Sequence, residues 1–221
     1  MEIKIMKNIL DRNQNKAGEI REMMKENGVC MINFISSPGA GKTTLLERIC
    51  EKLAGKYSTG VIEGDVTTDR DARRLMRFNI PIVVINTEGG CHLDSHSISK
   101  ALVHFDLKKT NLLLVENVGN LICPASFDLG ESFRLAVVST TEGDDKPAKY
   151  PMVFRQAKAL VLNKTDLIPY TNFNMESFRK DLRKLNSSLP LFRVSATKGE
   201  GINEFCLWLD EQIKYHIKPA G

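Results

Sequence analysis

The stretch Ser36-Ser37-Pro38-Gly39-Ala40-Gly41-Lys42-Thr43-Thr44 is built to hold an anion. Glycines let the backbone bend until successive N–H groups point at one centre, and a following helix adds its positive N-terminal end. In such a loop Pro38, Gly39, Ala40, Gly41 and Thr44 form the expected phosphate cradle. Lys42 reaches the β- and γ-phosphates, and the Thr43 hydroxyl ligates magnesium. The full pattern asks for Gly at position 36, where this chain has Ser. The competing reading is a glycine-rich turn that only caps a helix. The apolar run Met31-Ile32-Asn33-Phe34-Ile35 before it and Leu45-Leu46-Glu47-Arg48-Ile49 after it supply the strand and helix that a P-loop requires.

Other short motifs fall after apolar runs of strand length. Asn163-Lys164-Thr165-Asp166 matches an N-K-x-D element. Its Asp166 carboxylate can accept from guanine N1–H and the N2 amino group together, a donor pair that adenine lacks. Asn163 braces that loop, and the stem of Lys164 covers the base. Ser195-Ala196-Thr197 matches the S-A-x element whose backbone meets guanine O6. Taken in this order downstream of a P-loop, the set predicts GTP. Glu116-Asn117-Val118-Gly119 resembles a D-x-x-G element with Glu for Asp. The Gly119 amide would bind the γ-phosphate and Glu116 would hold magnesium through water. Asn120 stands where many GTPases carry Gln, which predicts slow intrinsic turnover. Asp65 is the other acid expected near the phosphates. Lys42, Asp65 and Glu116 are thus the candidate catalytic residues, with Thr43, Asp65 and Glu116 for magnesium.

Gly89-Gly90-Cys91-His92 places a thiol and an imidazole in one loop, and Cys123-Pro124 follows the Glu116–Gly119 stretch. Two thiolates and an imidazole suit zinc or nickel. Three ligands leave a site incomplete, so a site shared across a two-fold axis is reasonable. The alternative is a buried cysteine beside a surface histidine. His96, four residues after His92, is a candidate to support the ligands. His104 and His216 are expected in solvent, and Cys30, Cys50 and Cys206 in the core.

The elements that must position these loops alternate between strand and helix. Apolar runs predict strands over 31–35, 59–63, 81–85, 111–116, 135–139, 159–163 and 191–194. Helices are expected from Lys42 to about Ala54 and over 69–78, 93–104, 175–186 and 201–215, with a polar loop over 140–150. The alternation implies an α/β fold, a single P-loop NTPase domain with a mainly parallel sheet and helices on both faces. Loosely helical spacing of Ile3, Met6, Ile9, Leu10, Ala17, Ile20, Met23 and Met24 predicts an N-terminal helical appendage over 1–28, ended at Gly28, before the GTPase domain of 29–221. Core packing of that helix is favoured over partner docking.

The 221 residues suffice for one substantial core. A net charge of +4 with scattered Lys and Arg argues against nucleic acid as a partner. No apolar run reaches the roughly 20 residues of a membrane span, and the start lacks a signal-peptide layout. A cytoplasmic protein is expected, in which five cysteines point to metal or redox chemistry more than to disulfides.

These motifs together, with Glu63-Gly64-Asp65-Val66, Gly89-Gly90-Cys91-His92-Leu93-Asp94, the Glu116-to-Pro124 run and Glu142-Gly143-Asp144-Asp145-Lys146-Pro147, resemble the HypB family, the nickel-insertion GTPases of [NiFe]-hydrogenase maturation. The resemblance spans nearly the whole chain. It implies a slow GTPase that dimerises with GTP and carries nickel or holds zinc. The partners it implies are the zinc protein HypA and, indirectly, the hydrogenase large subunit. It puts the metal on Cys91, His92 and Cys123, and it implies that Lys146 reaches the neighbouring subunit's nucleotide. The N-terminal Cys-x-x-Cys-Gly-Cys site and His-rich tract of some members are not in this sequence, which leaves the G-domain site. Rival expectations are a urease-maturation GTPase, whose metal loop would read Cys-Pro-His, a cobalamin-enzyme chaperone GTPase, and a nucleotide-regulated metal store.

Overall fold

The computed structural model describes residues 2–65 and 70–217, with side chains described for 9–64 and 72–217. Among them seven strands form one sheet in the order β3-β2-β4-β1-β5-β6-β7. They are β1 (Cys30–Ser36), β2 (Thr59–Asp65), β3 (Ile82–Asn86), β4 (Leu112–Glu116), β5 (Phe133–Ser139), β6 (Ala159–Asn163) and β7 (Leu191–Arg193). Every pairing is parallel. Parallel strands need crossovers, and the α-helices among the described residues are α1 (Glu2–Asn27), α2 (Lys42–Leu53), α3 (Arg70–Leu75), α4 (Ser95–Leu102), α5 (Cys123–Ser126), α6 (Lys146–Lys149), α7 (Pro151–Gln156), α8 (Met175–Leu185) and α9 (Ile202–His216).

The central strands are buried on both faces, which explains why they read as continuous apolar runs. Their alternate residues feed different cores. Ile32, Phe34, Leu112, Leu114, Leu135, Val137 and Val161 join Leu45, Ile49, Phe205 and Leu209 of α2 and α9. On the other face Met31, Ile62, Leu113 and Val115 meet Ile20 and Met24 of α1 and Ile98 of α4. Farther along that face Ile35, Ala136, Val138 and Leu160 meet Phe154 of α7 and Phe178 of α8. Truncating one of the large side chains here to Ala costs about 2–5 kcal/mol.

Helix α1 is held by more than apolar contact. Buried Asn13 donates from Nδ2 to the Asp128 carbonyl and accepts from the Ser95 N–H, both at 2.8 Å. Arg21 forks onto both Asp128 oxygens at 2.6 and 2.7 Å.

Some boundaries and one side chain depart from expectation. The helix expected over 69–78 becomes α3 followed by a 3-10 turn over Met76–Phe78. The expected polar loop over 140–150 contains a 3-10 turn, Thr140–Glu142, and α6. His216, expected in solvent, is half-buried against the Phe133 ring with centroids 5.6 Å apart, and burial lowers its pKa. Cys30, Cys50 and Cys206 do lie in the core, where burial pushes their thiols up to about 12, 12 and 11.

Candidate functional site

Loops at the carboxyl ends of β1, β2, β4 and β6 line an open cavity of about 550 Å³. Its lining includes Pro38, Gly39, Gly41, Lys42, Thr43, Thr44, Glu63, Gly64, Glu116, Gly119 and Lys164. Lys42 is buried, and its ammonium donates to Ser36 Oγ at 2.7 Å. The serine that replaces the expected glycine is therefore a polar rest for the lysine. Its own hydroxyl donates to the Ser37 carbonyl at 2.7 Å, so the exchange leaves the turn closed. Thr43 Oγ1 donates to Glu116 Oε1 at 2.9 Å, which brings the two candidate magnesium groups together.

Two glycines are required by close approach. A Cβ on Gly119 would lie 2.9 Å from the Pro38 Cα, so the loop after β4 rests directly on the phosphate loop. Gly41 has φ 89°, and a Cβ there would come within 2.5 Å of Asn163 Nδ2. That crowding arises because Asn163 Nδ2 donates to the Ala40 carbonyl at 2.9 Å.

Asn163 stitches three segments. Its Oδ1 accepts the Lys164 N–H at 2.8 Å and the Ala196 N–H at 3.0 Å. Lys164 adopts φ 58° and sends its ammonium to the Gly39 carbonyl at 2.8 Å. Asp166 is held below the usual carboxylate range, first by a hydrogen bond from Ser195 and then by the Lys198 ammonium, 3.7 Å away. The structure thus brings Asn163, Lys164, Asp166, Ser195 and Ala196 to one edge of the phosphate loop. Lys146 is not in the cavity lining; its ammonium lies 5.6 Å from the centroid of its neighbour Tyr150. Its segment is tethered to the phosphate loop, because Ser37 Oγ donates to the Glu142 carboxylate.

The side chain of Asp65 lies outside the described residues. Sequence reasoning missed Glu63, which is buried, lines the cavity and is the register partner of Glu116 on the adjacent strand. The signal was present: Glu63, like Glu116, ends an apolar run with an acid at the carboxyl end of a strand. Arg74 was also missed. It lines the cavity and donates to Thr44 Oγ1 at 2.9 Å, but within a run of charged helix residues nothing marks it out.

The metal candidates converge from two loops. The ligand atoms of Cys91, His92 and Cys123 all lie within 4.8 Å of one another. Cys91 Sγ is 3.5 Å from His92 Nδ1. A cation with bonds of about 2.0–2.3 Å to N and S fits between atoms so spaced. The hydrogen bond with Cys123, then burial, raises the Cys91 pKa, while burial lowers that of His92 and favours the neutral imidazole a metal needs. The His92 ring lies on Phe127, centroids 3.8 Å apart, and Asp94 caps α4 immediately downstream with a reciprocal Ser97 capping box. Cys91 is exposed, so one side of the cluster opens to solvent. His96 is exposed too and is not among the converging ligands.

Residues 30–193 match the family model described as CobW/HypB/UreG, nucleotide-binding domain. The hydrogenase maturation factor HypB of Azotobacter vinelandii is 45% identical over 210 residues, which cover 95% of this chain and 69% of that protein. The chain belongs to the HypB family. Solved HypB-family structures agree in shape. The crystal structure of Helicobacter pylori HypB in complex with nickel superposes with a TM-score of 0.86 at 34% identity, covering 95% of this chain and 99% of that one. HypB of Archaeoglobus fulgidus gives 0.85 at 36% identity, covering 92% and 99%. This HypB-family chain is accordingly a hydrogenase maturation factor on a P-loop nucleotide-binding fold.

Proposed function

We propose that this chain is a GTP-hydrolysing metallochaperone that delivers nickel during [NiFe]-hydrogenase maturation, with its Cys/His cluster coupled to GTP-dependent dimerisation. The observation that carries this reading is topological. The strand ending in Glu116 continues through Gly119, against the phosphate loop, to Cys123 in the cluster with Cys91 and His92. One short segment belongs to both sites.

The residues divide the work. The ammonium of Lys42 exchanges Ser36 Oγ for phosphate oxygens, and the main chain of 38–44 cradles the rest. Thr43 and Glu116 are the groups to hold magnesium, with Asp65 as the further acid. Magnesium, when bound, neutralises charge developing on the phosphates. Asp166 selects guanine, and Asn163 keeps its loop against the phosphate loop. Lys146, on a segment tethered to Ser37, is suited to reach a neighbouring subunit's nucleotide. Cys91, His92 and Cys123 hold nickel or zinc as cargo, a second subunit contributing its own set, and HypA is the expected partner in the transfer.

The test is to titrate nickel and zinc into the apo, GDP-bound and GTP-analogue-bound protein while following dimer mass. Affinity and stoichiometry should differ between the GDP and GTP-analogue states. Equal values in all three would sink the coupled switch. Lys42→Ala should abolish turnover; full hydrogenase maturation by that variant would instead favour an incidental GTPase.

A further inference from the structure

Between the phosphate site and the metal cluster runs a buried line of polar side chains, which begins at Asn117 in the lining of the phosphate cavity. Asn117 follows Glu116 directly and is 1% exposed. Its Oδ1 accepts the Leu93 N–H at 3.1 Å and the Val118 N–H at 2.9 Å. Leu93 is the residue after His92, so this bond joins the phosphate-sensing loop to the loop bearing Cys91 and His92. Its Nδ2 donates to Oδ1 of Asn33, itself wholly buried in β1, at 3.2 Å.

The line continues to the other half of the cluster. Asn33 Nδ2 donates to Glu131 Oε1 at 3.3 Å, and Glu131 pairs with Arg134 at 2.6 Å. Arg134 donates to the carbonyl of Ala125, in α5 with Cys123, at 3.2 Å. Glu131 Oε2 also accepts the Leu129 N–H at 2.7 Å. One chain of bonds therefore starts at Leu93, passes through Asn117 in the lining of the phosphate cavity and ends on the helix of the third ligand.

Burying amides and a carboxylate is unfavourable unless each is satisfied, and apolar side chains would fill the same space without that desolvation. What the polar groups add is fixed relative position between segments that apolar packing would let slide. We infer that Asn117 is a positioning residue that transmits the state of the phosphate loop to both arms of the metal cluster, through Leu93 in one direction and Asn33–Glu131–Arg134 in the other. The inference rests on the nucleotide-coupled reading above and names its mechanical link.

The experiment compares wild type with Asn117→Ala, measuring nickel affinity in the GDP and GTP-analogue states by competition with a chromophoric chelator. A coupling of typical size makes the wild-type ratio about 5- to 150-fold. In Asn117→Ala the ratio should fall below about three-fold, while nickel still binds with the wild-type stoichiometry in the GDP state. A merely structural role would weaken both states alike and leave the ratio intact, which overturns the inference. A wild-type ratio of one would instead overturn the coupled reading beneath it. Should the variant not fold, amide hydrogen exchange on the wild type decides. Leu93 and Leu129, whose N–H groups end on this line, should change protection together when GDP is replaced by the GTP analogue. Unchanged exchange at both overturns the inference.

Discussion

Asp166→Asn tests the proposed nucleotide selection while an asparagine Oδ1 can still accept from Ser195 and only the charge pair with Lys198, at 3.7 Å, is lost. The surrounding loop is fixed by other groups: Asn163 binds the Ala40 carbonyl and the Lys164 and Ala196 amides, and Lys164 binds the Gly39 carbonyl. The substitution therefore alters the proposed base contact and leaves that frame. A guanine edge gives Asp166 two N–H donors, and each hydrogen bond to a charged acceptor contributes about 1.5–3 kcal/mol. Losing both amounts to about 3–6 kcal/mol, or about 10²- to 10⁴-fold in affinity. The asparagine also turns an N–H toward the guanine N2 amino group, a donor facing a donor. Xanthine carries a carbonyl there, so Oδ1 can accept N1–H while Nδ2 donates to O2. The assay is equilibrium binding of GDP and XDP to both proteins, displacing a fluorescent nucleotide. GDP affinity should fall at least about 100-fold and the preference should invert toward XDP. Because Ser195 and Lys198 keep Asp166 below the usual carboxylate range, wild-type GDP affinity should stay flat between about pH 5 and pH 8 as far as this group is concerned. A variant that binds GDP within about five-fold of wild type, with no gain for XDP, would refute guanine reading by Asp166.

Four other outcomes are expected. Glu63→Gln removes a buried carboxylate beside Glu116 and should raise the magnesium concentration for half-maximal GTP turnover about ten-fold, from about 1.4 kcal/mol of lost attraction; an unchanged magnesium curve would remove Glu63 from the site. Gly119→Ala forces a Cβ to within 2.9 Å of the Pro38 backbone, so GTP-analogue affinity should drop by about 1–3 kcal/mol, and calorimetry with binding equal to wild type would contradict that contact. Cys123→Ser should weaken nickel binding at least about 100-fold and leave GDP affinity unchanged, whereas retained nickel affinity would mean that Cys123 is not a ligand. Asp210 accepts from Tyr57 Oη and Lys56 at 2.6 Å and from Lys214 at 2.8 Å, and against the opposing effect of burial these bonds depress its pKa. A depressed carboxylate stabilises the fold above its unfolded pKa of about 3.9 and loses that effect as pH falls below it. Asp210→Asn should thus cost about 1–3 kcal/mol at pH 7, with the gap to wild type closing in acid; a gap constant from about pH 7 to pH 3 in urea melts would speak against the ionic account.

Much of this molecule is legible in its residues alone. The apolar runs mark the strands because a parallel sheet covered on both faces needs no alternation, and the sheet then sets the loops at their carboxyl ends. The chemistry-bearing residues 38–44, 163–166 and 91–92 can be read because local spacing alone defines them. What sequence could not supply was adjacency between strands. Glu63 stands beside Glu116 only through the β2–β4 register, since nothing along the chain links positions so far apart. Ser36 looked like a defect in a pattern until the fold turned Lys42 back onto its hydroxyl. His216 looked solvent-borne until α9 laid it on Phe133. Asn117 carries no signal of its own within the Glu116–Gly119 motif, and only packing put its amide between Leu93 and Asn33. Local chemistry is written in short spacings, but the link between two sites depends on which segments the sheet order brings within hydrogen-bonding distance.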